Sequence, residues 1–328
     1  MNLGIIGGGS WGSALAQKFS SNFSKVIIYA RDKKVVEEIN LQHKNIKFFP
    51  NIIFQKNISS TLNINDLYNC DIIFISIPTQ NIRDALLHIN NINPKTIFVI
   101  CAKGLEITST KFISQVLQDV GINENNIAVL SGPSFSTDLI QNLPTLFVVA
   151  TSNIDLSKYL ANLLKVKNIK LYFSDDIIGA QIGGAIKNII AIGCGVVMGA
   201  NFGQNALAGL LSRGLKEMCN FGNHFKAKIE TIYGVSGFGD LVLTATSMQS
   251  RNFALGVEIG TNGRYISNLL NNQKGIAEGY YSVKALKSII DLYKISMPIC
   301  EEVYSICYQG KLVSDSLESL MNREQVKE

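Results

Sequence analysis

In the first half of the chain the apolar residues come in short, nearly continuous runs. Residues 2–7, 25–30, 71–77, 96–102, 127–131 and 146–150 are such runs, and each reads as a strand buried on both faces. Between them, residues 11–19, 33–40, 81–89 and 111–120 place apolar side chains at three- and four-residue intervals, the period of a helix that buries one face. This alternation predicts parallel strands joined by right-handed crossovers, a doubly wound α/β sheet. The turns at Pro78, Lys103-Gly104 and Gly132-Pro133 follow three of these strands. They should gather at the carboxyl edge of the sheet, where such folds bind ligands.

From about residue 174 the strand pattern fades. Residues 205–224, 251–259, 280–293 and 297–309 show helical spacing, and only 234–239 and 260–263 read as loops. The prediction is a sheet domain over residues 1–173 and an all-helical domain over 174–328, with a site in the crevice between them. Residues 177–200 are long and apolar enough to be mistaken for a membrane span. Lys187 lies near their middle, where a bilayer would charge it about 2.5–3.5 kcal/mol, so a buried core helix is expected, its glycines leaving room for one break.

The first predicted turn from strand to helix is Gly7-Gly8-Gly9-Ser10-Trp11-Gly12, which contains G-x-G-x-x-G as Gly7, Gly9 and Gly12. Gly7 permits the tight turn, Gly9 lets backbone approach a pyrophosphate, and Gly12 lets the helix lie close to the strand. The phosphates would rest on free amides at the helix N-terminus. This makes the sheet domain Rossmann-like and the expected cofactor a dinucleotide. Choice of cofactor is read where the second strand ends, at Arg31-Asp32. Arg31 can pair with the 2′-phosphate of NADP, and Asp32 can accept from a ribose hydroxyl of NAD, so NADP or NAD is expected, with a solvated charge pair opening a helix as the plain alternative.

Three polar features interrupt the apolar pattern of the second half. Lys187 and Asn188 follow Gly183-Gly184 inside the core helix; a desolvated lysine there can donate a proton to a developing alkoxide, or it can snorkel to water. Asp240 and Thr244 share a helix face at i, i+4, so Asp240 can hold Lys187 or merely open its own helix. Ser250-Arg251-Asn252 stands at a helix start, with a capping hydroxyl, outward amides and a bidentate donor, the parts of a phosphate clamp or of a capped helix with a surface arginine. Together they suggest a reductase acting on a small phosphorylated carbonyl compound. His43, His88 and His224 lie outside every motif, which disfavours a dehydrogenase that uses a histidine acid.

Composition sets outer limits. The 328 residues suffice for two domains, and 47% apolar with 17% charged residues describes a globular chain. A net charge of +5 without a dense Lys/Arg block disfavours nucleic acid but leaves room for a local cationic site. Six scattered cysteines with no metal-ligand spacing suit a reduced, cytoplasmic protein, and no metal is called for. The chain opens directly into a strand-like run without a signal segment.

Across nearly its whole length the chain resembles the bacterial glycerol-3-phosphate dehydrogenases that use NAD or NADP. The resemblance runs from residues 7–16 through Lys103-Gly104, Ser131-Gly132-Pro133-Ser134-Phe135, Gly184-Ala185-Ile186-Lys187-Asn188, Gly239-Asp240-Leu241, Ser250-Arg251-Asn252 and Ala277-Glu278-Gly279 to Met297-Pro298-Ile299. It implies reversible reduction of dihydroxyacetone phosphate to sn-glycerol 3-phosphate for phospholipid synthesis. By this likeness Ser10, Trp11, Arg31, Lys103, Ser136, Ile276 and Glu278 contact the dinucleotide, with Arg251 as a further contact. Lys103, Gly132 and Ser134 help hold the substrate, Asp240, Ser250, Arg251 and Asn252 complete its site, and Lys187 is the acid/base. The chain departs from the family at Asn51, where glycine is usual, and at Ser136-Thr137-Asp138, where an alanine precedes acidic residues. Helical domains of this kind could pair as a homodimer.

Overall fold

The computed structural model describes residues 1–90, 93–265 and 277–324; Ile276 therefore lies outside the described residues. Packing divides the chain into two compact units, residues 1–102 with 112–180, and residues 103–111 with 181–328. The periodicity predicts a boundary at 173/174, where strands stop. The packed division instead falls inside a helix and assigns the loop after the fifth strand to the second unit.

The first unit is built on one eight-stranded sheet in the order β3-β2-β1-β4-β5-β6-β7-β8. Its strands are β1 (Asn2–Ile6), β2 (Lys25–Tyr29), β3 (Ile58–Thr61), β4 (Ile72–Ile75), β5 (Ile97–Ile100), β6 (Ile127–Ser131), β7 (Thr145–Thr151) and β8 (Ile169–Ser174). The order reverses beside β1, the switch point at which doubly wound sheets open a crevice. Leu3, Ile5, Ile72, Phe74, Val99 and Ala128 fill the centre of the sheet's core, fully buried as their continuous apolar runs require.

Two sheet expectations are corrected. All pairings are parallel except β6 with β7, which is antiparallel, Ser131 opposite Val148. Strand pattern does not reveal direction when both faces are buried. In addition, β3 and β8 lie outside the predicted strands, because each is an edge strand with one polar face and so lacks the continuous apolar run. β3 is Ile-Ser-Ser-Thr, held to β2 partly by the Ser60 hydroxyl donating to the Ile28 carbonyl at 2.8 Å, and β8 exposes Lys170 and Tyr172.

Helices α1 (Ser10–Phe19), α2 (Lys33–Gln42), α3 (Ile82–Leu87), α4 (Ile113–Asp119), α5 (Ser136–Ile140) and α6 (Ile154–Leu163) complete this unit. α1 buries Ala14, Leu15, Ala16 and Phe19, and Phe19 meets Phe74 edge-on at 5.9 Å between ring centroids.

Helix α7 (Ile177–Gly199) leads into the second unit, which continues with α8 (Gln204–His224), α9 (Ile229–Tyr233), α10 (Asp240–Ala245), α11 (Arg251–Asn262), α12 (Glu278–Tyr293), α13 (Pro298–Gln309) and α14 (Val313–Met321). α7 is long and apolar enough to cross a membrane, but 89% of its apolar window is buried inside the protein, so it is the core helix of this unit. It runs unbroken, because its glycines serve packing. A Cβ on Gly195 would sit 2.1 Å from the Phe253 carbonyl, and one on Gly256 would sit 2.0 Å from the Ile192 carbonyl. α7 and α11 therefore cross backbone against backbone. For the same reason residues 260–263 are not a loop. Gly260 packs on Val196 inside α11, and only Gly263, with φ +74°, ends the helix in the left-handed region. Residues 234–239, also read as a loop, contain a π-helical turn at Val235–Gly239 that feeds directly into α10.

Candidate active site

At the end of β1 the backbone is fitted so closely that glycine is required. Gly7 has φ +127°, and a Cβ on Gly12 would lie 2.0 Å from the Gly7 carbonyl oxygen. A Cβ on Gly8 would meet that of Ala30 at 2.5 Å, whereas Gly9 faces open space, with nothing within 4 Å. Gly9 is the N-cap of α1, and no side chain caps this helix. The Gly9 amide and the first-turn amides that follow it are thus left for an outside acceptor, at the positive end of the helix. These features fit the pyrophosphate of a dinucleotide. Trp11 is half-buried, its indole N–H donating to the Cys101 carbonyl at 3.0 Å and its ring 6.2 Å from that of Phe147.

Arg31 stands exposed beyond β2. Asp32 is used locally: its carboxylate accepts from the Lys34 amide at 3.1 Å as the N-cap of α2 and lies 3.8 Å from the Lys47 ammonium. A cavity of about 350 Å³ adjoins it, lined by Asp32, Lys34, Val35, Glu38, Ile46 and Lys47. Two polar residues that the sequence did not single out brace the glycine loop. Ser76 donates to the Ile6 carbonyl at 3.0 Å, and the fully buried Asn45 donates to the Gly8 carbonyl at 3.0 Å and to the Ser13 hydroxyl at 2.9 Å. Neither stands in a recognisable pattern. At the end of β6, Gly132 has φ +147°, its carbonyl accepting from the Ser134 hydroxyl at 2.9 Å, and Ser136 opens α5.

The second unit holds an ionic cluster. Asp240, 1% exposed, accepts from Lys187 on one oxygen and from Lys103 on the other, each at 2.6 Å. Lys187 also donates to the Thr244 hydroxyl at 2.6 Å. Local packing explains the meeting. A Cβ on Gly183 would lie 2.4 Å from the Ser236 carbonyl, so α7 presses against the π-helical turn that delivers Asp240, while Gly184 leaves a shelf on which the Lys103 chain lies. With Lys187 protonated, two cations share one anion and the cluster carries a net positive charge, suited to an oxyanion. Burial drives the Lys187 ammonium down to about 7; Asp240 opposes this shift, and the neighbouring Lys103 adds to it. A lysine at that value exists in comparable amounts as acid and base near neutrality.

Asn188, the next residue, is also buried, and its carbonyl faces Gly279 so closely that a Cβ there would approach to 2.5 Å. Ser250 caps α11 by accepting from the Phe253 amide at 3.3 Å. Asn252 accepts from the Gly279 amide at 2.9 Å and so ties α11 to the start of α12. Arg251 is exposed on the first turn of α11, within electrostatic reach of Glu278. The structure thus gathers Lys103, Lys187, Asp240 and Thr244 into one contact set and Asn188, Asn252 and Gly279 into another, while Ser250 caps the helix that carries Asn252. Among the described residues there is no group of histidine, cysteine and acidic side chains able to hold a metal ion.

Comparison with known proteins covers nearly the whole chain. Residues 2–157 match the N-terminus, and residues 176–318 the C-terminus, of the NAD-dependent glycerol-3-phosphate dehydrogenase. The glycerol-3-phosphate dehydrogenase [NAD(P)+] of Rhodospirillum rubrum is 37% identical over 324 residues, covering 98% of this chain and 92% of the relative. That of Staphylococcus carnosus is 34% identical, covering 99% and 98%. The crystal structure of glycerol-3-phosphate dehydrogenase from Coxiella burnetii superposes with a TM-score of 0.91 at 30% identity, covering 98% of this chain and 99% of the other. The chain belongs to the NAD-dependent glycerol-3-phosphate dehydrogenase family.

Proposed function

We propose that this protein is an NAD(P)-dependent sn-glycerol-3-phosphate dehydrogenase that reversibly reduces dihydroxyacetone phosphate, with Lys187 as the acid/base. The observation that carries the chemistry is a buried ammonium, brought to about 7, fixed between the Asp240 carboxylate and the Thr244 hydroxyl at 2.6 Å each. The dinucleotide, when bound through the Gly7–Gly12 loop, supplies or accepts the hydride. Arg31, Ser10, Trp11, Ser136, Ile276, Glu278 and Arg251 are proposed to hold it.

As negative charge grows on the carbonyl oxygen during reduction, Lys187 gives that oxygen its proton and is left as the neutral amine. In the oxidative direction the neutral amine takes the hydroxyl proton. Lys103 holds a second positive charge on the same carboxylate and stabilises the oxyanion, and Asn188 is a nearby donor. Asp240 keeps both lysines in place. The substrate phosphate is proposed to rest on Arg251 and the first-turn amides of α11, whose start Ser250 and Asn252 brace, with Gly132 and Ser134 contributing from the loop after β6. The product would feed phospholipid synthesis from the cytoplasm.

The test is oxidation of NADPH, and separately NADH, on adding dihydroxyacetone phosphate to the purified protein. Loss of reduced-nicotinamide absorbance is expected with the phosphorylated ketone and not with unphosphorylated dihydroxyacetone. Binding of nucleotide without turnover on any phosphorylated ketone would overturn the assignment.

A further inference from the structure

The sequence motif accounts for the glycines at the β1–α1 turn but not for what holds their peptide planes. Gly8 and Gly9 share one peptide unit. In a trans peptide the carbonyl of one residue and the N–H of the next point in opposite directions, so fixing one fixes the other. The Gly8 carbonyl is held at 3.0 Å by the Asn45 side chain; since a carbonyl can only accept, the Asn45 amide NH2 must face it. The Gly9 N–H, at the far end of the same plane, is thereby turned away from Asn45. Gly9 is also the one glycine of this turn that faces open space, nothing lying within 4 Å of where a Cβ would project.

Asn45 is itself immobilised. It is 0% exposed, and its second amide hydrogen goes to the Ser13 hydroxyl at 2.9 Å, which joins it to the first turns of α1. Its main-chain carbonyl accepts from the Phe49 amide at 2.8 Å, and the next amide, Ile46, donates to the buried Glu38 carboxylate at 3.0 Å. Phe49 is part of the sheet's core cluster. A buried amide with two fixed hydrogen bonds thus reaches a peptide at the head of α1 whose N–H an incoming phosphate would meet.

We propose that Asn45 is a positioning residue for dinucleotide binding, setting the Gly8–Gly9 peptide so that its N–H meets the pyrophosphate. This rests on reading the Gly7–Gly12 loop as the dinucleotide site. Asn45 does not touch the cofactor and acts through the loop alone.

The experiment measures dissociation constants for NADH, NADPH, ADP-ribose and AMP by quenching of Trp11, the only tryptophan, together with steady-state kinetics and Tm. In Asn45→Ala the constants for NADH, NADPH and ADP-ribose should rise about tenfold, the size of one lost hydrogen bond. AMP, which has no pyrophosphate, should change less than twofold, as should kcat at saturating nucleotide and the KM for dihydroxyacetone phosphate. If Asn45→Ala fails to fold, Ser13→Ala removes the second anchor and should raise the ADP-ribose constant threefold without moving AMP. Unchanged ADP-ribose binding, or equal losses for AMP and ADP-ribose, would overturn the proposal. Gly12→Ala separates the two levels. If it binds dinucleotide normally, the loop is not the site; if it loses binding while Asn45→Ala and Ser13→Ala do not, only the role of Asn45 fails.

Discussion

At the end of β1 the chain offers a ligand little besides backbone, whereas at the start of α10 it offers three ionisable side chains packed around one another. The first region works by leaving atoms out: Gly12 has no room for a Cβ, and Gly9 has open space beside it. The second works by keeping charges in, with Asp240 almost wholly buried between two ammoniums. Sites of these two kinds should fail in opposite ways. A backbone cradle is damaged by adding an atom and loses ligand affinity. A buried charge set is damaged by removing a charge and loses both chemistry and stability.

The sharpest break in that comparison is Lys187→Ala. Loss of a positioned general acid lowers turnover by about 10²–10⁴-fold, while dissociation constants for NADH and NADPH should stay near those of the parent. Parallel loss of nucleotide affinity would mean that the two regions do not divide the work as described. Titrating activity sharpens the point. On the proposed mechanism Lys187 is protonated for reduction and neutral for oxidation, so kcat for ketone reduction should fall as pH rises through about 7, and kcat for the reverse reaction should rise over the same interval.

Asp240→Asn should come next in size. It removes the carboxylate that both lysines share, leaving buried ammonium charge uncompensated, a change that costs about 3–5 kcal/mol in comparable sites. Because Asp240 raises the Lys187 pKa, its loss should also move the pH dependence of reduction downward. A thermal melt and a pH–rate profile read the two effects separately. An unchanged profile would show that Asp240 holds the fold and not the acid.

Gly12→Ala tests the other region. With the new methyl 2.0 Å from the Gly7 carbonyl, the turn must deform, and the KM for nucleotide should rise about tenfold or more, while the KM for dihydroxyacetone phosphate holds. Equal changes in both constants would contradict the division.

The two regions were also legible to different degrees. The glycine loop could be read from sequence because its logic is local: turn, close approach and helix start fall within six residues. Lys187 was legible as a charge in an apolar helix, and Asp240 and Thr244 as neighbours on one helix face. The meeting of Lys103 with Asp240, 137 residues apart, had no local signal, and neither did the glycine shelf that lets the Lys103 chain lie against α7. Asn45 was invisible because an asparagine beside charged residues in a connecting loop looks like solvent-exposed chain until its burial is known. The antiparallel β7 escaped for a related reason: direction is decided by how the connection packs, which strand composition does not record.

The smallest predicted effect separates architecture from chemistry within the second unit. Ser250 was read both as a helix cap and as part of a phosphate clamp, and its hydroxyl accepts from the Phe253 amide at 3.3 Å. If capping is its whole role, Ser250→Ala should destabilise the protein by about 1 kcal/mol, with kcat and the KM for dihydroxyacetone phosphate unmoved. Ser250→Asp should restore stability, since a carboxylate caps as well, but it would place a negative charge on the first turn of α11 beside Arg251. A phosphate held there would be repelled, so KM should rise in the aspartate variant even as Tm recovers. Recovery of both would place the phosphate elsewhere and leave Arg251 as a surface cation at the head of a capped helix.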